Sequence, residues 1–289
     1  MKHIAFIKKN IMYPGLPEED SYRYSSQRNK IMITVADGIT RDPIGIKFLP
    51  GYSDKNKLAI ALAKYPDPSP AKIAADKATQ SFIKYLKNQR VSNETIIKEA
   101  FKFVNIQIKK LNSKCNPNPD YLENDFWSCV ACCGIIENNT LFFGYICDCG
   151  ISILDTLGKI RFRTKNDMRV LDKFVKINKL NWKNPSVRKT IRSKFRNNSE
   201  KIIKKGMLSY GALTGEKTAL DFVKTGKYTI EKDNFVLFYS DGMESMVYSK
   251  AFRNYLSKNK FKNLQKFCED LCLKTKKYQK EGTLVAIQT

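Results

Sequence analysis

Apolar and polar positions change period several times along this chain, and the changes mark its elements. Ile31-Met-Ile-Thr-Val-Ala-Asp37-Gly38 is an uncharged, β-favouring run that ends on a carboxylate, and it predicts a buried strand over 31–36. Residues 21–25 predict its partner, with Gln27-Arg28-Asn29-Lys30 as the connection. Far downstream, Phe235-Val-Leu-Phe-Tyr-Ser-Asp241-Gly242 repeats the arrangement. Residues 1–14 predict a first, edge strand, followed by a turn at Pro14-Gly15-Leu16-Pro17. Apolar runs at 126–136 and 140–147, parted by Glu137-Asn138-Asn139, predict a hairpin, and 150–155 with 160–163 predict another around Leu157-Gly158. Strands are also expected over 219–223, 235–240 and 283–287.

A helical period takes over in four places. Ser69-Pro70 pairs a capping hydroxyl with proline at the first helical position, and Ala74, Ala78, Phe82 and Tyr85/Leu86 then share a face. Ser92 is the expected cap of a second helix, with Ile97, Ala100, Phe101, Val104, Ile108 and Leu111 as its stripe. Further helical stretches cover 248–258 and 261–277, the latter with Phe261, Leu264, Phe267/Cys268 and Leu271 on one face. Arg41–Pro68 and Cys115–Asp125 are polar and rich in turn formers, and predict loops. Many antiparallel strands with a few long helices, without internal repeats, predict an α+β fold in one domain over 1–289.

Composition narrows the chemistry. Hydrophobic residues make up 42% of the 289 residues, enough for a large core, and no apolar run reaches the length of a membrane span. The charges in Met1-Lys2-His3-Ile4-Ala-Phe-Ile-Lys8-Lys9 are too closely spaced for a signal peptide, so a cytoplasmic setting is expected. His3 is the one histidine, on an expected edge strand, which argues against Ser/His/Asp triads, Cys/His dyads and His-ligated zinc. Of eight cysteines, Cys129, Cys132, Cys133, Cys147 and Cys149 sit in apolar strand-like runs. Alternation would place Cys129 with Cys133, and Cys147 with Cys149. A zinc site on these four is one alternative; buried reduced thiols are the expectation, because no CxxC pair recurs.

The formal charge of +24 is concentrated. Between Lys159 and Lys205 stand seventeen Lys/Arg against Asp167, Asp172 and Glu200, a net +14. Such a block suits an anionic partner, or simply solvates a surface. Few aromatics interleave with it (Phe162, Phe174, Trp182, Phe195), which argues against nucleic acid.

Acids at strand ends carry the candidate chemistry: Glu19-Asp20, Asp37-Gly38, Asp148, Asp241-Gly242 and Glu281-Gly282. Two strands ending in Asp-Gly can bring two carboxylates to one end of a sheet, where they repel unless a cation or proton lies between them. The plain alternative is that both Asp-Gly pairs are hairpin turns.

In order and spacing these segments resemble the metal-dependent protein phosphatases of the PP2C (PPM) type, across almost the whole chain. Glu19-Asp20 is similar to the family's early Glu-Asp motif, and Val35-Ala36-Asp37-Gly38 to its Val-Ala-Asp-Gly motif. Tyr145-Ile-Cys-Asp148-Cys resembles its Gly-Asp-Ser strand, and Ser240-Asp241-Gly242-Met243 its Ser-Asp-Gly-hydrophobic motif. Gly211-Ala-Leu-Thr-Gly215-Glu resembles the segment ahead of that motif, and Glu281-Gly282-Thr-Leu-Val-Ala-Ile echoes its closing Asp-Asn and strand.

The resemblance implies a sandwich of two antiparallel sheets flanked by helix pairs, in αββα layers, with a basic flap-like insert at about 159–205. It implies a binuclear Mg²⁺ or Mn²⁺ centre at one end of the sandwich. Asp37 would bridge both ions, the Gly38 carbonyl would bind one, and Asp241 and Glu281 would hold the other. Glu19 or Asp20 would contribute directly or through water, and Asp148 would help a third, weaker ion. Hydrolysis of phosphoserine and phosphothreonine on proteins would then run through a metal-activated water, in a monomer, with Asp37 and Asp241 essential. The chain departs from the pattern in four places. Ile39-Thr40-Arg41-Asp42 replaces the glycines after Asp-Gly. Gly15 stands where the phosphate-clamping arginine is usual, with Arg41 as the candidate substitute in substrate binding. Cys147-Asp148-Cys149-Gly150 replaces Gly-Asp-Ser-Arg, and Glu281 is one methylene longer than the usual Asp. These departures leave a second reading open, a catalytically silent module of the same fold that binds an anionic partner.

Overall fold

A computed structural model describes residues 2–12, 15–27, 29–39, 65–115, 127–181, 185–199 and 208–289. Arg41 lies outside these residues, as do Lys201, Lys204 and Lys205 of the basic block.

Among the described residues, ten strands form two five-stranded antiparallel sheets. The first sheet runs β1 (Lys2–Lys8), β10 (Gly282–Gln288), β9 (Phe235–Tyr239), β6 (Gly150–Leu154), β7 (Ile160–Arg163). The second runs β2 (Ser21–Gln27), β3 (Lys30–Gly38), β4 (Cys129–Glu137), β5 (Thr140–Ile146), β8 (Lys224–Thr229). β9 and β10 face β3 and β4 across the interior. On the outside of the second sheet lie α1 (Pro70–Lys87) and α2 (Glu94–Cys115). Over the first sheet lie α5 (Asp241–Val247), α6 (Lys250–Asn259) and α7 (Leu264–Lys274). The basic segment supplies α3 (Met168–Ile177) and α4 (Pro185–Phe195). The expected α+β sandwich in αββα layers is therefore present.

Strand alternation explains why the central strands read as unbroken apolar runs. Phe235, Leu237 and Tyr239 pack with α5–α7, whereas Val236 and Phe238 enter the core between the sheets. Both faces are buried, so both must be apolar. On the other side, Ala74, Ala75 and Ala78 are fully buried and let α1 lie close on β3. Ser69 caps α1 as expected, accepting from Lys72 N at 3.1 Å, with Pro70 opening the helix.

Several expected elements differ. The cap of α2 is Asn93, whose Oδ1 accepts from Ile96 N at 2.8 Å, rather than Ser92. Residues 219–223 do not form a strand: Lys217–Phe222 is a 3₁₀ turn that buries Ala219 and Phe222 at its three-residue period, and β8 begins only at Lys224. Cys147 and Cys149 do not share a strand face. β5 ends at Ile146, and Cys147 takes a left-handed backbone, φ 69°. Seven of the eight cysteines are buried, Cys115 is exposed, and all eight are free thiols. No described helix is long and apolar enough to cross a membrane.

Candidate metal centre

Neither Asp-Gly pair is a hairpin turn. Asp37 and Gly38 are the last two residues of β3, paired with Val130 and Cys129 of β4. Asp241 and Gly242 open α5. Neither glycine has a positive φ; both are required by close approach. A Cβ on Gly38 would stand 2.5 Å from the Ala71 carbonyl oxygen, in the first turn of α1. On Gly242 it would stand 1.6 Å from the Glu281 carbonyl oxygen. These contacts press β3 against α1 and α5 against the start of β10, at one end of the sandwich.

Three acids there are held by hydrogen bonds. Glu281 Oε1 accepts from the backbone amides of Glu19 and Asp20, at 2.9 and 2.6 Å. Asp20 Oδ2 accepts from Ser240 Oγ at 2.6 Å and Thr283 Oγ1 at 2.8 Å, and Ser240 Oγ in turn accepts from Thr283 N at 2.9 Å. Glu19 Oε1 accepts from the hydroxyls of Tyr65 and Ser69, each at 2.8 Å. Lys72 adds a strut, donating to the Asp20 carbonyl at 2.8 Å while pairing with Glu18 and Asp76.

Asp37, Asp148 and Asp241 complete the cluster, and its members repel one another. Burial pushes Asp37 well above the usual carboxylate range, and Asp20, Asp241, Asp148 and Glu281 push it further. Burial and then Asp241 raise Asp148 to about 7. Burial, with nearby Glu19 and Glu18 in addition, raises Glu281 to about 7. Asp20 rises to about 8 from burial, then Glu281, against the opposing Ser240 and Thr283 hydroxyls. Lys280 places its ammonium 3.1 Å from Asp241 Oδ2. Among the described residues, no three His, Cys, Asp or Glu side chains close around one point as a ready cage.

Of the residues singled out from sequence, the structure brings Asp20, Asp37, Asp148, Asp241 and Glu281 into mutual electrostatic reach. Glu19 adjoins them, with Oε1 bonded to Tyr65 and Ser69 and its charge acting on Glu281. Arg41 lies outside the described residues. Sequence reasoning missed Ser240, Thr283, Lys72 and Lys280. Ser240 and Thr283 lie within the quoted motifs with no role assigned to them, and only strand register shows that both hydroxyls meet Asp20.

The basic segment borders this cluster. Asn166 and Arg169 each bond Glu244 of α5 at 2.9 Å, and Asp172 of α3 feels both Asp241 and Lys280. His3 is remote. It pairs with Ile287 and stacks on Tyr24, five positions along β1 from Lys8 and Gly282, roughly 16 Å at the rise of a strand.

By sequence the chain matches no family model and no curated protein. By structure it is similar to solved phosphatases over nearly its full length. A serine/threonine phosphatase of S. agalactiae superposes with a TM-score of 0.61 at 12% identity, covering 99% of this chain and 98% of that one. The Mycobacterium tuberculosis serine/threonine phosphatase PstP superposes with a TM-score of 0.58 at 13% identity, covering 99% and 97%. Its catalytic domain in complex with two manganese ions gives 0.58 at 13%, covering 100% and 98%. RsbX in complex with magnesium gives 0.52 at 12%, covering 99% and 94%. This chain therefore has the fold of the PP2C-type phosphatases.

Proposed function

We propose that this chain is a protein phosphatase that hydrolyses phosphoserine and phosphothreonine with the aid of two Mg²⁺ or Mn²⁺ ions. The observation that carries the reading is the convergence of Asp20, Asp37, Asp148, Asp241 and Glu281, from separate elements, at one end of a sandwich shared with such enzymes. The donor set fits a hard divalent ion, because every candidate ligand is an oxygen. The electrostatics fit as well: carboxylates that raise one another's pKa lack positive charge, and cations supply it. A loose arrangement suits these metals, which keep several waters and need few protein ligands each.

Asp37, the Gly38 carbonyl, Asp241 and Glu281 would hold the two ions, with Asp148 toward a weaker third. When bound, such ions polarise phosphoryl oxygens and lower the pKa of water. The protein's own part is positional. Glu281 is oriented by two amides, Asp20 by two hydroxyls, and Gly38 and Gly242 let β3 approach α1 and α5 approach the start of β10 closely enough. Arg169 and the lysines of α3 would draw an anionic phosphoprotein toward the site. No histidine is needed, in keeping with the position of His3.

The test is turnover of an aryl phosphate and of a phosphothreonine peptide by the purified chain with Mn²⁺, repeated after chelation. The expected outcome is hydrolysis that chelation abolishes and Mn²⁺ restores. A folded, Mn²⁺-bound protein with no turnover of either substrate would remove the enzymatic reading, and leave the silent module that binds an anionic partner.

A further inference from the structure

Lys280 immediately precedes Glu281, yet its ammonium serves another acid of the cluster. Nζ lies 3.1 Å from Asp241 Oδ2, and Asp37 and Asp148 also act on it. The backbone that carries it is fixed on both sides. Lys8 is 1% exposed and runs its ammonium beneath this turn, donating to the carbonyls of Tyr278 and Lys280. Glu281 is tied to the amides of Glu19 and Asp20. The Lys280 side chain is different: it is 57% exposed and hangs on a flexible four-carbon stem.

We propose that Lys280 is a resident competitor for the cation at Asp241: its ammonium neutralises this carboxylate in the metal-free protein and withdraws when a divalent ion takes its place. The inference rests on the metal-binding reading above and concerns what sets the affinity. Asp241 presents its Oδ2 to Lys280, so an incoming ion must displace the ammonium from that oxygen. An ammonium left at contact distance would repel the ion. The exposed stem gives the ammonium somewhere to go, whereas buried Lys8 is confined under its two carbonyls. The consequence is a site that is partly neutralised while empty, at the expense of metal affinity. It would reach half-loading at a higher concentration of divalent ion than the same site without the ammonium.

The experiment is calorimetric titration of Mn²⁺ into the chelator-stripped full chain, as wild type, Lys280→Met and Lys280→Arg. Removing the charge should tighten Mn²⁺ binding about fivefold or more, the equivalent of a half-exposed ion pair together with relieved repulsion. Lys280→Arg should bind no more tightly than wild type. Stripped Lys280→Met should melt below stripped wild type and gain more on adding Mn²⁺, a combination an ordinary surface lysine would not give. Lys280→Gln keeps a donor for Asp241 without the charge, and serves if the methionine variant does not fold; it too should bind more tightly. Unchanged or weaker Mn²⁺ binding by the uncharged variants, with wild-type binding intact, would overturn this proposal and leave the metal site standing. Absence of Mn²⁺ binding by wild type would overturn both.

Discussion

The acids at the mouth of the sandwich form two sets. Glu19, Asp20 and Glu281 are held: one oxygen of each accepts two hydrogen bonds, from hydroxyls or from backbone amides. Asp37 and Asp148 are raised by burial and then by their acidic neighbours, and Asp241 leans on a lysine that is more than half exposed. Donors aimed at a carboxylate favour its charged form, whereas burial beside other acids disfavours it. The first set is thus built into the framework, although burial still lifts Asp20 to about 8 and Glu281 to about 7. The second set awaits a partner. The two classes lie side by side, and they should respond to mutation in opposite ways.

The largest contrast is expected at Asp37 and Asp241. Asp37→Asn should abolish metal-dependent hydrolysis, and Asp241→Asn should lower kcat/KM on the order of a hundredfold or more, as loss of a strong transition-state contact does. Both proteins should stay folded. The stripped Asp37→Asn variant should melt at or above stripped wild type, because the substitution removes a repelled charge. Its pH dependence has a definite sign. A carboxyl raised in the folded state keeps a proton that the unfolded chain has already lost, so stability falls as pH rises. The advantage of Asp37→Asn should therefore grow as pH rises above the ordinary carboxylate range, about pH 4, because Asp37 is held well above that range when folded. A stripped Asp37→Asn protein that melted well below wild type would move Asp37 into the held set.

Glu281 sharpens the boundary, since it is both held and a candidate ligand. Glu281→Gln retains an oxygen for the amides of Glu19 and Asp20, whereas Glu281→Asp withdraws it by one methylene. Denaturant melts of the stripped proteins should place Glu281→Gln within about 0.5 kcal/mol of wild type and Glu281→Asp about 1–2 kcal/mol below it, the loss expected when buried donors are left unpaired. Mn²⁺ binding should order them differently, with the neutral glutamine weaker. If the aspartate variant were the more stable, the extra methylene would have no framework role.

Much of this was legible in the sequence, for identifiable reasons. Uncharged, β-favouring runs ending in Asp-Gly gave β3 and β9, Ser69-Pro70 gave the start of α1, and the order of the acids anticipated their convergence. What was hidden depends on register or on backbone shape. The 3₁₀ turn at Lys217–Phe222 buries Ala219 and Phe222, which in sequence resemble a short strand. α5 is only seven residues long and begins at Asp241, where an Asp-Gly pair suggests a turn. The Ser240–Asp20–Thr283 bonds join residues more than two hundred positions apart. Lys280 lay hidden among the many lysines of a chain with charge +24; only its distance to Asp241 distinguishes it.

The smallest expected effect concerns how Asp148 is presented. Cys147 precedes it with a φ of 69° and is buried at 3% exposure. A left-handed backbone costs a side-chain-bearing residue roughly 1–2 kcal/mol, which glycine escapes. Glycine gives up about 0.5–1 kcal/mol through the freedom of the unfolded chain, together with the burial of the thiol. These terms nearly cancel, so Cys147→Gly should lie within about 1 kcal/mol of wild type. Cys147→Ala keeps the backbone strain and still loses the sulfur, so it should melt below Cys147→Gly, the reverse of the usual order for these two residues. Mn²⁺-dependent activity should survive in Cys147→Gly, because glycine adopts the left-handed turn that aims Asp148 without steric cost. If alanine proved the more stable, the left-handed turn would not be what positions Asp148, and buried sulfur would matter more at this site than backbone shape.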